Sequence, residues 1–247
     1  MTGLRDDLTE DAFLGGRVHV LQPRTGYRAA TDPVLLAALV NGRPGQRVLD
    51  VGCGAGTALA CLAARVPGLE LHGIEVQEDY AALARCNLPQ ATIWTGDLLN
   101  PPVALKAMQF DWVLTNPPFF DAAGAASPDA GRDKARREAV PPQDWAAACL
   151  RRVRSAGHLA VIHRTDRVPD LLSGLVGAGD ISLIPLQARI GRPAKRVLIR
   201  ARQGAGGPFR ILPPLILHEG AEHGHDGDDF SLEALKILRD AQAVPMC

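Results

Sequence analysis

Asn116-Pro117-Pro118-Phe119 is the stretch of this sequence whose residue types define a chemistry most narrowly. It follows Phe110 to Thr115, an apolar run that reads as a short strand. Neither proline can donate a ladder hydrogen bond, so the strand must end there in a rigid turn. A plain reading stops at that turn and buries the Phe. A chemical reading uses the polar groups. An aromatic amino group or a carboxamide nitrogen is a poor nucleophile because its lone pair is delocalised. The Asn116 side-chain oxygen and the Pro117 carbonyl can each accept one N–H of such a nitrogen and so localise that pair. Proline rigidity fixes the carbonyl in advance. Phe119 can stack on a planar base, a contact worth ~1–3 kcal/mol. A base in a duplex or folded loop must swing out to reach such a site. The chemistry needs no metal and no Ser, Cys or His nucleophile.

A second motif supplies a pocket. Asp50-Val51-Gly52-Cys53-Gly54-Ala55-Gly56-Thr57 links the apolar run from Arg47 to Val51 to a helical pattern. Glycines allow the tight turn and let the backbone approach a ligand. A dinucleotide fingerprint would place its third glycine at position 57, where this chain has Thr57. Asp50 also sits badly beside a pyrophosphate and suits an ammonium or sulfonium group. Glu75, 19 residues after Gly56, can accept both hydroxyls of a ribose. Asp97 can accept an adenine amino group, with the Leu98 N–H reaching a ring nitrogen. A surface acid at Glu75 and a turn former at Asp97 are the simpler readings of each residue alone. Three acids at successive strand ends point jointly to a ligand at the C-terminal sheet edge.

The elements that position these groups alternate strand with helix from about residue 47 to residue 200. Strands are expected at Arg47–Val51, Leu69–Ile74, Thr92–Trp94, Trp112–Leu114 and Leu159–Ile162. Helices are expected at Thr57–Val66, from Glu78, from near Pro142, and across Val168, Leu171, Leu172, Leu175 and Val176. Ile181–Ala188 and Arg196–Ala201 read as a closing hairpin. The pattern predicts an α/β fold with a mostly parallel sheet and helices on both faces. An N-terminal helix is expected at Pro33–Val40 and a terminal one at Leu232–Leu238. Gly204–Gly207 and Glu219–Asp229 read as flexible connectors, and Asp121–Gly131 as a loose loop.

Asp50 to Gly56, Glu75 and Asp97 together resemble the cofactor motifs of the class I S-adenosylmethionine-dependent methyltransferases over roughly residues 45–200. The resemblance implies S-adenosylmethionine as cofactor, held by Asp50, Gly52, Gly54, Gly56, Glu75, Asp97 and Leu98. It also implies a Rossmann-like seven-stranded sheet whose last strand is antiparallel. Asn116-Pro117-Pro118-Phe119 resembles the motif of N6-adenine and glutamine-amide methyltransferases, which makes Asn116, Pro117 and Phe119 the catalytic candidates. Phe13 to Arg17 and Gln22 to Leu36 resemble the N-terminal signature of the bacterial tRNA(Val) N6-adenine methyltransferases. That likeness implies a segment packed over the cofactor, with Thr31 and Asp32 near its methionine end.

Charge is balanced overall, but residues 131–210 hold 16 Lys or Arg against 6 Asp or Glu. Arginines that merely coat solvent-facing elements would look the same. Read with the resemblance, Arg132, Lys134, Arg136 and Arg137, and Arg189, Arg192, Lys195 and Arg196 on the hairpin, become candidates for holding RNA phosphates. The chain is expected to be one methyltransferase domain of 247 residues: a covering segment (1–40), a catalytic core (41–203) and an extension (204–247).

The remaining composition excludes more than it identifies. No apolar run approaches the ~18 residues of a spanning helix, and the acidic first residues do not suit a targeting peptide, so a cytoplasmic protein is expected. Five cysteines without short paired spacing read as reduced thiols. The His-rich stretch around His218, His223 and His225 reads as a solvated linker, with no metal expected. The leading expectation is an RNA N6-adenine methyltransferase acting on tRNA near the anticodon. Alternatives are a protein glutamine-amide methyltransferase and a cofactor-binding RNA chaperone without turnover.

Overall fold

The central strands are apolar on both sides, and such runs are stable only where both faces of a parallel sheet are covered. The computed structural model describes residues 7–117, 140–220 and 229–246. In chain order the elements are β1 (Leu8–Phe13), β2 (Val18–Pro23), α1 (Thr31–Leu39), β3 (Arg47–Val51), α2 (Thr57–Arg65), β4 (Glu70–Glu75), α3 (Glu78–Asn87), β5 (Thr92–Thr95), α4 (Val103–Lys106) and β6 (Phe110–Thr115). They continue with α5 (Pro142–Arg152), β7 (Val153–Arg164), α6 (Val168–Ser173), β8 (Ala178–Gln187), β9 (Arg196–Gln203), β10 (Arg210–Ile211), β11 (Leu215–Ile216) and α7 (Leu232–Leu238).

Seven strands form the expected sheet in the order β8-β9-β7-β6-β3-β4-β5, and β9 runs antiparallel to both of its neighbours. Two-residue strands β10 and β11 extend it along β8, so the sheet has nine strands rather than seven. From β3 the chain builds outward through β4 to β5, then returns to place β6 on the other side of β3. That reversal opens a crevice at the C-terminal ends of β3 and β6, where open α/β sheets take their ligands.

Side-chain alternation splits the core. Val48, Trp112, Leu114, Ala160 and Leu198 face α1 and α2, while Leu49, Val113, Leu159, Val161 and Ile199 face α5. Helix α1 is buried from Asp32 to Leu39, wedged between the sheet, α2 and α7. The C-terminal tail closes over it through Val244 N–H to the Ala38 carbonyl at 3.0 Å.

Three expectations change. The helix expected to reach Val176 ends at Ser173 with Gly174 as its cap, a residue that weakens helix continuation and that the neighbouring Gln143 carbonyl requires, since a Cβ there would lie 2.1 Å from it. Val176 then points outward, 85% exposed. Gly204–Gly207 is packed rather than loose: Gly207 O accepts from Asp180 N–H at 3.0 Å, and Gly179 leaves no room for a side chain against Ala205. The N-terminal segment carries an antiparallel hairpin, β1–β2, before its helix.

The described cysteines are free thiols; Cys53, Cys61 and Cys149 are buried, Cys86 is exposed, and Cys247 lies outside the described residues. None of the described helices is long and apolar enough to cross a membrane.

Candidate active site

The glycine loop turns sharply enough to bring two acids together. Gly52, Gly54 and Gly56 take left-handed φ values of 70°, 54° and 87°. A Cβ on Gly56 would also meet Leu88 Cδ1 at 2.8 Å, so the third glycine is required twice over. Gly52 N–H donates to the Ile74 carbonyl at 2.8 Å, and Gly54 N–H donates to Glu75 Oε2 at 2.9 Å. The other Glu75 oxygen accepts from Gln77 N–H at 3.0 Å. Asp50 is 3% exposed and its carboxylate has no hydrogen-bond partner among the described residues. Burial first, and Glu75 second, push the Asp50 carboxyl up to about 8. A cation placed beside this pair would relieve both effects.

Asn116 stands across the crevice, one residue past β6. Thr115 Oγ1 donates to the Val51 carbonyl at 2.9 Å and accepts from Trp145 Nε1 at 3.1 Å. The Trp145 ring also backs Gly52, whose Cβ position lies 3.7 Å away. One side chain on α5 therefore braces both the glycine loop and the strand that delivers Asn116. Asn116 Nδ2 donates to the Tyr27 hydroxyl at 3.2 Å, while its Oδ1 is buried without a partner among the described residues. Pro117 is buried beside it.

The segment between β2 and α1 closes the crevice. Gln22 holds Ala29 from both sides, accepting its N–H at 2.7 Å and donating to its carbonyl at 3.2 Å. Arg28 makes two 2.7 Å contacts to Asp11. Tyr80 Oη donates to the Tyr27 carbonyl at 2.9 Å. Gln22, Tyr27, Pro33, Asp50, Thr57 and Asn116 are among the walls of one cleft. The Thr57 hydroxyl is buried there without a partner. Tyr27 is 44% exposed, yet the desolvation of its phenol, with Asp32 and Asp50 nearby, pushes it up to about 12.

Several expected site residues stand apart from this cleft. Asp97 lies two residues beyond β5, exposed, where its Oδ1 accepts from Leu99 N–H at 2.9 Å in a local turn. Leu98 is buried against the sheet. Val76, 47% exposed, and Leu99, 44% exposed, flank Glu75 and Asp97 and offer apolar cover that sequence reasoning had not singled out. Thr31 opens α1. Asp32 is paired with Arg196, which reaches it from the start of β9. Arg196, expected on RNA, is thus tied to an intramolecular acid, as is Arg189, which pairs with Asp229. Burial raises the Asp32 carboxyl and Arg196 opposes that shift. Arg192 and Lys195 are exposed in the β8–β9 loop. Pro118, Phe119, Arg132, Lys134, Arg136 and Arg137 lie outside the described residues, as do His223 and His225; His218 pairs with Asp229 and stacks on Phe230. No metal-binding group of His, Cys, Asp and Glu occurs among the described residues.

Tyr27, Thr57, Trp145 and Tyr80 were missed as site residues. Tyr27 and Tyr80 are the two tyrosines of the chain, a scarcity that was the available signal. The residues present could hold S-adenosylmethionine: the buried acid Asp50 in the cleft suits a cationic group, and Glu75 with exposed Val76 lies at the end of the neighbouring strand.

Comparison with known proteins agrees. The family described as methyltransferase small domain matches residues 29–133. A Porphyromonas gingivalis protein named tRNA1(Val) (adenine(37)-N6)-methyltransferase is 32% identical over 65% of this chain and 68% of its own length. A protein of the same name from Aeromonas hydrophila is 30% identical over 78% of this chain and 84% of its own. Among solved structures, a predicted O-methyltransferase from Agrobacterium tumefaciens superimposes with a TM-score of 0.70 at 24% identity, covering 87% of this chain and 98% of that one. A T. thermophilus 16S rRNA methyltransferase in complex with AdoMet and guanosine gives 0.56 at 20% identity, over 79% of this chain and 50% of its own. At such identities the structural likeness speaks for the fold; the sequence relatives speak for kinship. The chain belongs to the class I S-adenosylmethionine-dependent methyltransferases, in the family whose curated members are named tRNA1(Val) (adenine(37)-N6)-methyltransferase.

Proposed function

We propose that the chain methylates the exocyclic N6 of an adenine in tRNA, close to the anticodon. The observation that carries this reading is the Asn116 side-chain oxygen, buried at the cleft wall and without a hydrogen-bond partner among the described residues. A buried acceptor left unpaired is costly, and an arriving N–H donor removes that cost. The names of the relatives supply adenine and tRNA as the acceptor class.

S-adenosylmethionine would supply a methyl group on a cationic sulfur: the N–CH3 bond forms as the S–CH3 bond breaks, and the sulfur leaves as a neutral thioether in S-adenosylhomocysteine. Asp50 would hold the cationic end of the donor, Glu75 its ribose hydroxyls, and Asp97 with the Leu98 N–H its adenine. Asn116 Oδ1 and the Pro117 carbonyl accept the two N–H bonds of the acceptor amino group. This draws the nitrogen out of conjugation with the ring and localises its lone pair. The Asn116 amide is held by Tyr27 before the acceptor arrives, so less reorganisation remains for the transition state. Phe119, which lies outside the described residues, is by its type able to stack on the extruded base. The surplus proton leaves to water, since a methylated, cationic nitrogen is strongly acidic. No side chain need act as a nucleophile.

The test is transfer of labelled methyl from S-adenosylmethionine into separated tRNA, rRNA, DNA and protein fractions. Label is expected in tRNA, at N6-methyladenine after digestion to nucleosides. Label confined to protein would overturn the substrate reading in favour of a glutamine amide. Asn116→Ala is expected to bind the donor within about threefold of wild type and to lose transfer by at least ~100-fold, the scale of one lost preorganised contact. Turnover that survives this change would leave the tetrapeptide a structural turn.

A further inference from the structure

We infer that Tyr27 is a positioning residue for methyl transfer: its hydroxyl accepts from the Asn116 amide nitrogen and anchors the side chain at the cleft wall, with the amide oxygen left for the acceptor. The inference rests on the proposed role of Asn116 and adds a residue to it.

An asparagine amide is nearly symmetric in shape but opposite in polarity at its two ends. If the amide rotates by half a turn, its NH2 faces the acceptor amino group, donor against donor, and the site is lost. Something must therefore choose between the two orientations. Among the described residues, Asn116 has a single side-chain partner, the Tyr27 oxygen, 3.2 Å from Nδ2. With the nitrogen engaged there, Oδ1 is the end left buried and unpaired. A hydroxyl both accepts and donates, so it can anchor the amide in either orientation, and the N–H donors of the arriving acceptor favour the one that presents Oδ1 to them; a phenylalanine anchors neither.

The phenol is itself held in place. Residue 27 lies in a seven-residue link between β2 and α1, the kind of segment that would otherwise wander. Its carbonyl is fixed by Tyr80 Oη at 2.9 Å, its C-terminal side by Gln22 on Ala29, and its next neighbour Arg28 by Asp11 on β1. The chain enters Tyr27 through Gly26 at φ 96°, where a Cβ would come 3.0 Å from Tyr80 Oη. Only glycine lets the two tyrosines cross so closely. Burial and the acids Asp32 and Asp50 keep the phenol protonated. The grip therefore does not titrate in the range where the enzyme would work.

The hairpin β1–β2, which touches no reacting group, thus anchors an amide in the cleft through one hydroxyl. Tyr27→Phe keeps the ring and removes only that oxygen. It is expected to lower kcat for tRNA methylation by about tenfold, through partial loss of the productive amide orientation. The Kd for S-adenosylmethionine, measured by calorimetry, is expected to stay within about threefold of wild type. In protein labelled with 15N-asparagine, the Asn116 side-chain NH2 signal, identified by its absence in Asn116→Ala, is expected to shift and to exchange faster with water in Tyr27→Phe. A kcat within twofold of wild type, a loss confined to donor affinity, or an unmoved Asn116 signal each overturns the inference. If wild-type protein leaves tRNA unlabelled, the substrate reading fails, and the Asn116 signal still decides whether Tyr27 holds the amide.

Discussion

Asp50 is the residue where burial and function pull hardest against each other. Nothing in the apolar part of the core stabilises a carboxylate at 3% exposure beside a second acid, and the carboxyl rises to about 8. In the unfolded chain it would ionise near its ordinary value of 3.8. Between these two values the folded state binds one proton more than the unfolded state. Stability is therefore highest below about 4 and falls as pH rises toward 8. Asp50→Asn removes this loss, so its melting temperature in the absence of donor is expected to exceed wild type by a margin that widens from about pH 4 to 8 and then levels. Donor affinity has the opposite sign, because a cationic ligand selects the carboxylate. Below about pH 8 the Kd of the wild type is expected to weaken by up to tenfold per unit, and in Asp50→Asn to be weak throughout and flat. A wild-type Kd that does not change between about pH 6 and 8 would show that Asp50 is ionised before the donor arrives.

At the scale of elements, the parallel strands and their glycine loop were legible because each carries a local signal: an apolar run, a glycine where φ is positive, an acid at the strand end. The β8–β9 hairpin was legible for the same reason. Hairpin β1–β2 was not, since its alternation is diluted by Thr9, Glu10 and Asp11 on a partly exposed strand. Trp145 was invisible as a site residue because its role is three-dimensional. It sits on α5, 30 residues from Thr115, between the exposed Asp144 and alanines of which Ala146 and Ala148 are buried. The Arg196–Asp32 pair spans 164 residues and left no local trace, so Arg196 read as one more free cation. Asn116 was legible by type, whereas the partner that anchors it was not. Trp145→Phe tests the brace. It keeps most of the apolar contact but leaves Thr115 Oγ1 without its donor, which is expected to cost about 1 kcal/mol in urea unfolding and to weaken donor binding several-fold. An unchanged midpoint together with unchanged affinity would reduce the indole to packing.

Over the whole molecule, the basic excess of residues 131–210 has to be divided into cations already committed and cations left over. Arg154 pairs with Asp111, Arg164 with Asp166, Arg167 with Asp170, Arg189 with Asp229, Arg196 with Asp32 and Arg210 with Asp180. Six of the sixteen cations are thus already paired with acids of the chain itself. Arg192 and Lys195 differ: both are exposed, and neither pairs with an acid among the described residues. Their loop also lies at the productive edge, because Lys195 O accepts from Thr165 N–H at 3.1 Å just past the C-terminal end of β7. From there a phosphate contact can orient an RNA whose base enters the cleft, without reading its sequence. Each such contact releases about one counterion, so Arg192→Ala with Lys195→Ala is expected to lower the slope of log K against log salt for tRNA binding by about 2. Arg154→Ala, which removes a cation already paired on the opposite sheet edge, is expected to leave the slope unchanged. Equal slopes for all three proteins would move the RNA-binding surface away from the β8–β9 loop.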